Sequence, residues 1–244
     1  MRMPSKINNS IAFIKLARIH PNLLRTAWNV KRSGKTYLNY SKLLSLTESY
    51  LLVRKRSSGP IRMAEFGVGM GGSASVLGWL AGHFGGSLTL YDVFSRIPPP
   101  SDKDGEEAKN RFQKIASDED PRRYYGNIPD LIEVIQRELY KVSQPEQVVF
   151  VQGKYEETLP GEKTGVFHLV HVDCDWYEST QAVFTFLKDH LAQGGIIQLD
   201  DFTYWPGPKM VFDQSNWLQG ARTTLVDGAL IIDTETIRRV EDPK

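Results

Sequence analysis

Two apolar runs, Phe167–Val172 and Ile196–Leu199, each run out into a pair of carboxylates: Asp173 and Asp175 after the first, Asp200 and Asp201 after the second. Between them lies a stretch of helical character from Trp176 to Leu191, followed by Gly194-Gly195, which suits a helix stop. Strand, helix, strand is a crossover unit, and the two parallel strands it joins end at the same edge of one sheet. Carboxylates far apart in the chain are thereby brought together, at the edge where open α/β sheets bind ligands. Crowded carboxylates repel one another. Raised pKa values or a hard cation such as Mg²⁺ resolve that repulsion, and the cation is the working expectation.

The preceding residues read as the other half of a doubly wound fold. Ile61–Phe66 is a strand, followed by the glycine-rich turn Gly67-Val68-Gly69-Met70-Gly71-Gly72 and a helix from about Ser73 to Gly82. Glycines let the backbone approach a ligand closely and a helix N-terminus offers unpaired N–H groups, although such a turn also arises for purely steric reasons. The second strand, Ser87–Tyr91, ends at Asp92, where an acidic side chain commonly takes the two hydroxyls of a ribose. Together the two features point to an adenosine-type ligand. Glu65, placed inside the turn just before the first glycine, would be a poor neighbour for a diphosphate and a good partner for an ammonium group. That favours S-adenosylmethionine over a dinucleotide; the alternative for Glu65 is a dipole partner of the following helix.

From Phe94 to about Pro145 the chain is too long for a simple crossover. It is expected to carry helices ending near Ile115 and spanning Leu131 to Tyr140, with a turn at residues 118–121, and to form a wall of an acceptor site. The third strand, Gln147–Gln152, ends at Gly153, whose turn is placed to line an adenine. His168 and His171 have a spacing that invites zinc, but on a strand they point to opposite faces, so packed, hydrogen-bonded histidines are expected. Beyond Asp201 come an aromatic loop with Tyr204 and Trp205, a helix from Pro208 to Leu218, and a hairpin of Thr223–Val226 and Ala229–Thr234 about Asp227-Gly228. Five parallel strands closed by an antiparallel hairpin give an α/β, doubly wound, seven-stranded Rossmann-like sheet of the class I methyltransferase type.

Residues 1–60 hold 12 Lys and Arg against the single acid Glu48, and the remainder holds 18 against 28. The first 60 residues are expected to be a helical cap, not an independent domain, with residues 61–244 forming one domain that carries an insertion at about 94–145. Basic charge with Trp28, Tyr37, Tyr40 and Tyr50 interspersed raises nucleic acid or a membrane surface as partners. No RNA-binding signature accompanies it, and no run approaches the ~20 apolar residues of a membrane span. A cap that complements an acidic body or a neighbouring subunit is expected instead, with no nucleic acid, no membrane and a homo-oligomeric state. The lone cysteine, Cys174, leaves no intramolecular disulfide and fits a reducing, cytoplasmic setting.

The run Glu65-Phe-Gly-Val-Gly-Met-Gly-Gly-Ser73, Tyr91-Asp-Val-Phe94 with Ile97-Pro98, Asp173-x-Asp-x-Tyr-x-Ser-Thr180 and Asp200-Asp201-Phe202 resembles the macrocin O-methyltransferase family. These are S-adenosylmethionine- and Mg²⁺-dependent enzymes that methylate sugar or phenolic hydroxyls of natural products. The resemblance implies cofactor contacts from Glu65, Gly67, Gly69, Ser73 and Asp92, metal ligation by Asp173, Asp200 and Asp201, and Asp173 as base toward a small-molecule hydroxyl acceptor. Asp175 is then assigned to support of the helix start at Trp176. Ser95 and Arg96 depart from the acidic residue and glycine usual in the family. Two other readings stay open: an Asp-x-Asp metal-dependent glycosyltransferase using Asp173 and Asp175, and a non-catalytic protein that binds S-adenosylmethionine.

Overall fold

A computed structural model describes residues 5–117 and 125–237; the turn expected at 118–121 lies outside them. Three helices lead, α1 (Ser5–Ile19), α2 (Pro21–Arg32) and α3 (Tyr40–Arg56). Then follow β1 (Ile61–Phe66), α4 (Gly72–Phe84), β2 (Gly86–Asp92), α5 (Gly105–Ala116), α6 (Leu131–Leu139), β3 (Val148–Gln152) and the single turn α7 (Tyr155–Thr158). The last third comprises β4 (Phe167–Val172), α8 (Tyr177–His190), β5 (Leu191–Leu199), α9 (Pro206–Gln214), β6 (Arg222–Val226) and β7 (Ala229–Asp233).

The seven strands form one sheet in the order β3-β2-β1-β4-β5-β7-β6. β1 to β5 are mutually parallel, while β7 runs antiparallel to both β5 and β6. The chain moves outward from β1 to β3, then returns to the other side of β1 to lay down β4. That reversal creates a crevice between β1 and β4 at their carboxyl ends. β4 is covered on both faces, which explains its nearly continuous apolar sequence: Phe167, Leu169, Val170 and Val172 are all 1% exposed or less.

Alternate strand residues feed opposite faces. Met63, Leu88, Leu169 and Ile196 pack under the helices that lead the chain and under α4 and α6, whereas Ala64, Val170, Val172, Ile197 and Leu199 pack under α8 and α9. α3 is packed into the body of the fold. Leu43, Leu46 and Tyr50 are fully buried, each such side chain contributing about 1.5–3 kcal/mol by burial. Ser45 Oγ also donates to Gln198 Oε1 inside β5 at 2.5 Å, and Arg56 forks onto both oxygens of Asp233 at 2.8 Å. α3 is therefore a full member of the helical layer.

Three boundaries differ from expectation. α8 stops at His190, and Gly194-Gly195 lie inside β5, where the pairing with β4 is irregular between Phe167 and Leu169; Gly194 takes φ 71° there. The helix expected from Pro208 to Leu218 is α9, ending at Gln214, plus one 3₁₀ turn at Asn216–Leu218. Within the 94–145 segment, α6 is an ordinary crossover helix, whose Leu139 fills the space a Cβ on Gly78 of α4 would need. Among the described residues, no helix is long and apolar enough to cross a membrane.

Candidate active site

The carboxyl ends of β1, β2, β4 and β5 are held level by hydrogen bonds that extend the parallel ladders. Gly153 N donates to Asp92 O at 3.0 Å, Gly67 N to Tyr91 O at 3.0 Å, Asp173 N to Phe66 O at 2.8 Å and Asp200 N to Val172 O at 2.8 Å. Every strand-tip residue singled out in the sequence thus lies along one edge. The closest approach is between the glycine turn and the tip of β4. Gly67 has φ +89°, and a Cβ there would collide with the Asp173 carbonyl, lying 2.7 Å from its carbon.

Asp92 fixes the turn. Its Oδ2 accepts from Val68 N at 2.6 Å and Gly69 N at 3.2 Å, and its Oδ1 from Phe94 N at 2.7 Å. The sequence assigned this carboxylate to a ribose; in the structure it lines a cleft and also accepts three backbone donors. Burial raises its pKa, and the bonds from Val68, Phe94 and Gly69 oppose that rise. Ser73 stands second in α4 and is buried, while Gly153 follows β3 with φ +145°. Glu65 is inside β1, not in the turn, and is fully buried with Oε1 2.8 Å from His171 Nδ1. Among the described residues its Oε2 and His171 Nε2 have no hydrogen-bond partner. His168 Nδ1 accepts from Arg62 N at 3.1 Å, so the two histidines face different partners, as expected for packed residues.

The acidic tips converge as two overlapping sets, His171–Asp173–Asp200 and Asp173–Asp175–Asp201, each with potential ligand atoms within 4.8 Å of one another. Asp173 belongs to both. Asp175 and Asp201 hold left-handed backbones, φ 62° and 52°, a conformation that costs on the order of 1–3 kcal/mol and concentrates at functional sites. Asp175 does not cap α8. Its Oδ1 accepts from Trp205 Nε1 at 3.1 Å, and the first turn of α8 is instead held by buried Asp104, whose Oδ1 accepts from Tyr177 N at 2.6 Å. Lys42, from α3, enters the same cluster: its Nζ pairs with Asp200 and lies 3.7 Å from Asp201 Oδ1. Burial disfavours the charge on Lys42, but Asp200, with help from Asp201 and Asp173, outweighs it and raises the lysine pKa.

Loss of water and the neighbouring Asp200 and Asp201 push Asp173 well above the usual carboxylate range. Asp201 rises for the same reasons, burial first and Asp200 second. Asp175, shielded from water and facing Asp201, moves from 3.8 up to about 8. Between those values the folded protein retains a proton on Asp175 that the unfolded chain has released, so this group makes the cation-free protein less stable as pH rises from about 4 to 8. Urea midpoints at pH 6 and pH 8 in the presence of a chelator test this: the pH 8 midpoint is expected to be lower, and a flat or rising profile contradicts the charge assignment. The Cys174 thiol, driven up by burial and lying 3.6 Å from Phe66 O, is kept protonated and is no nucleophile.

A cleft opens beside the cluster, lined by Gly67, Asp92, Ser95, Tyr155, Asp173 and Ser179 among others. Its wall is built by the segment after β2. Trp176 Nε1 donates to Pro98 O at 2.9 Å, and Trp176 meets Trp205 edge-on with centroids 5.3 Å apart over Ala108 and Ile97. Ser95, Ile97 and Pro98, at the start of the 94–145 segment, line this cleft. Trp205 is packed into the wall, whereas Tyr204 is 69% exposed.

A sequence model of the macrocin-O-methyltransferase (TylF) family matches residues 34–227. Demethyldecarbamoylnovobiocin O-methyltransferase of Streptomyces niveus is 27% identical over 187 residues, 73% of this chain, and the match covers 65% of that relative's length. Among solved structures, the O-methyltransferase NovP superposes with TM-score 0.67 at 21% identity, covering 83% of this chain and 82% of its own. A calicheamicin methyltransferase superposes with TM-score 0.63 at 21% identity, covering 96% and 94%. These superpositions establish a shared fold.

Proposed function

The chain belongs to the macrocin-O-methyltransferase family, and on that premise we propose that it moves a methyl group from S-adenosylmethionine to a hydroxyl of a sugar or phenolic natural product. Asp173, Asp200 and Asp201 would hold a divalent cation such as Mg²⁺. The observation that carries this reading is the direct packing of the glycine turn, at Gly67, against the backbone of Asp173. A cofactor on the turn and an acceptor at the acids would be neighbours. The donors suit both groups: oxygen-rich, crowded carboxylates fit a hard cation, and the orphaned, buried Glu65 Oε2 beneath the turn offers an acceptor for an ammonium group or for a water bound to it.

S-adenosylmethionine supplies an electrophilic methyl group, and a divalent cation, when bound, supplies Lewis acidity that lowers the acceptor's pKa. The protein's own share follows from its residues. A hydroxyl is a weak nucleophile until its proton leaves, and Asp173, at the junction of turn and cluster, is placed to take that proton. With the cofactor bound, the oxygen–methyl bond would form as the sulfur–methyl bond breaks, leaving a neutral thioether. Trp176, Trp205 and Ile97 exclude water from the neighbouring wall. Ser95 and Arg96, both exposed beside the cleft, bear on acceptor choice. We place the protein in the cytoplasm as a homo-oligomer acting on small molecules.

Calorimetry with S-adenosylmethionine and with a nucleotide sugar separates this reading from the glycosyltransferase one: uptake of the cofactor alone is expected. Binding of the sugar nucleotide alone would end the methyltransferase reading. Turnover against a panel of hydroxyl compounds should cease with chelator and return with Mg²⁺, and activity indifferent to chelator would remove the cation from the proposal.

A further inference from the structure

Lys42 is the one cation that reaches the acidic cluster among the described residues, and it comes from the N-terminal helical segment. It projects from the first turn of α3, which is pinned by its N-cap: Asn39 Oδ1 accepts from Lys42 N at 3.0 Å, and Asn39 Nδ2 donates to Asp227 Oδ2 at 3.1 Å. One helical turn further, Ser45 is bonded to Gln198, which stands two residues before Asp200. The lysine backbone is thus held at both sides, so any change of place by the ammonium must come from rotation of its four-carbon stem. Its side chain is 12% exposed, and its ammonium touches Asp200 while lying 3.7 Å from Asp201. An ion shared by these two carboxylates would occupy that same space. A divalent ion and an ammonium a few ångströms apart repel strongly at the effective dielectric of such a site.

We propose that Lys42 is a tethered counter-ion that fills the cation position of the acidic cluster and must swing out when a divalent cation enters. This rests on the reading that Asp173, Asp200 and Asp201 hold such a cation. It also gives the N-terminal segment a direct part in the site. The loop that leads into α3 presses on the start of α4, where a Cβ on Gly72 would meet Lys35 O and Thr36 Cβ, both at 2.5 Å.

The test uses the full-length protein and Mn²⁺, followed by electron paramagnetic resonance of the free ion. Lys42→Gln is expected to bind Mn²⁺ about tenfold or more tightly than wild type, because the competing charge is gone; Lys42→Arg, which keeps it, should not gain. Equal or weaker binding by Lys42→Gln overturns the proposal while leaving the cation reading intact. Mn²⁺ binding by neither protein overturns both. A second measurement needs no variant: reductive methylation of wild-type lysines, read by mass spectrometry, should label Lys42 faster with saturating Mg²⁺ than with chelator. Unchanged labelling of Lys42 under Mg²⁺ also overturns the displacement.

Discussion

Asp173→Asn is expected to lower kcat/KM for methyl transfer by about 10³ or more and, in the cation-free protein, to raise the melting temperature. The two effects have one cause. Asp173 is the member common to both acidic sets, so the substitution removes a proton acceptor, worth about 10²–10⁴ in rate, together with a cation ligand. It also removes an ionisable group from a site where burial and the carboxylates Asp200 and Asp201 already oppose ionisation. Relief of that opposition stabilises the fold. Affinity for S-adenosylmethionine should stay within a few-fold, since the backbone of Asp173, and not its side chain, packs against Gly67. A variant within tenfold of wild-type turnover would remove Asp173 from the chemistry. A lowered melting temperature with retained turnover would make its carboxylate a structural partner instead.

The parallel strands and their acidic tips were legible because each depends on a local pattern: β1, β4 and the last four residues of β5 are short, largely apolar runs, and a crossover forces their ends to one edge. The functions of individual side chains were less so. Asp92 read as a ribose ligand from its place at the end of β2; the structure adds a second task, since two N–H groups of the turn after β1 and the nearby Phe94 N–H converge on it. Asp175 sits directly before a helix and looked like a cap. A left-handed backbone at φ 62° turns its carboxylate toward Trp205 instead, and Asp104, far upstream, supplies the cap. Nothing in the composition of residues 1–60 distinguishes Lys42 from its eleven basic neighbours; only the seating of α3 across β5, through Ser45 and Gln198, selects it. The pair of Glu65 and His171 was equally silent, because the register that sets them opposite each other on β1 and β4 is a property of the sheet.

Gly67→Ala is expected to be the most damaging single change on the cofactor side of the site, lowering stability by about 3 kcal/mol or more. Two costs add. The residue sits at φ +89°, which an L side chain rarely adopts, and the new methyl group would be driven into the backbone carbonyl of Asp173, with no flexible side chain to yield. For a chain of this size such a loss lowers the melting temperature by on the order of 10 °C. Relief can come only by separating β1 from β4 at their carboxyl ends, which breaks the 2.8 Å bond from Asp173 N to Phe66 O. That movement pulls the turn from the acids, so affinities for S-adenosylmethionine and for Mn²⁺ should fall together. Gly59→Ala is the control: a Cβ there meets nothing within 4 Å and its φ is not left-handed, so stability should be unchanged or slightly higher. Loss of cofactor affinity in Gly67→Ala with Mn²⁺ binding preserved would show that turn and cluster are mechanically separate, and that their contact at Asp173 does not join the two halves of the site.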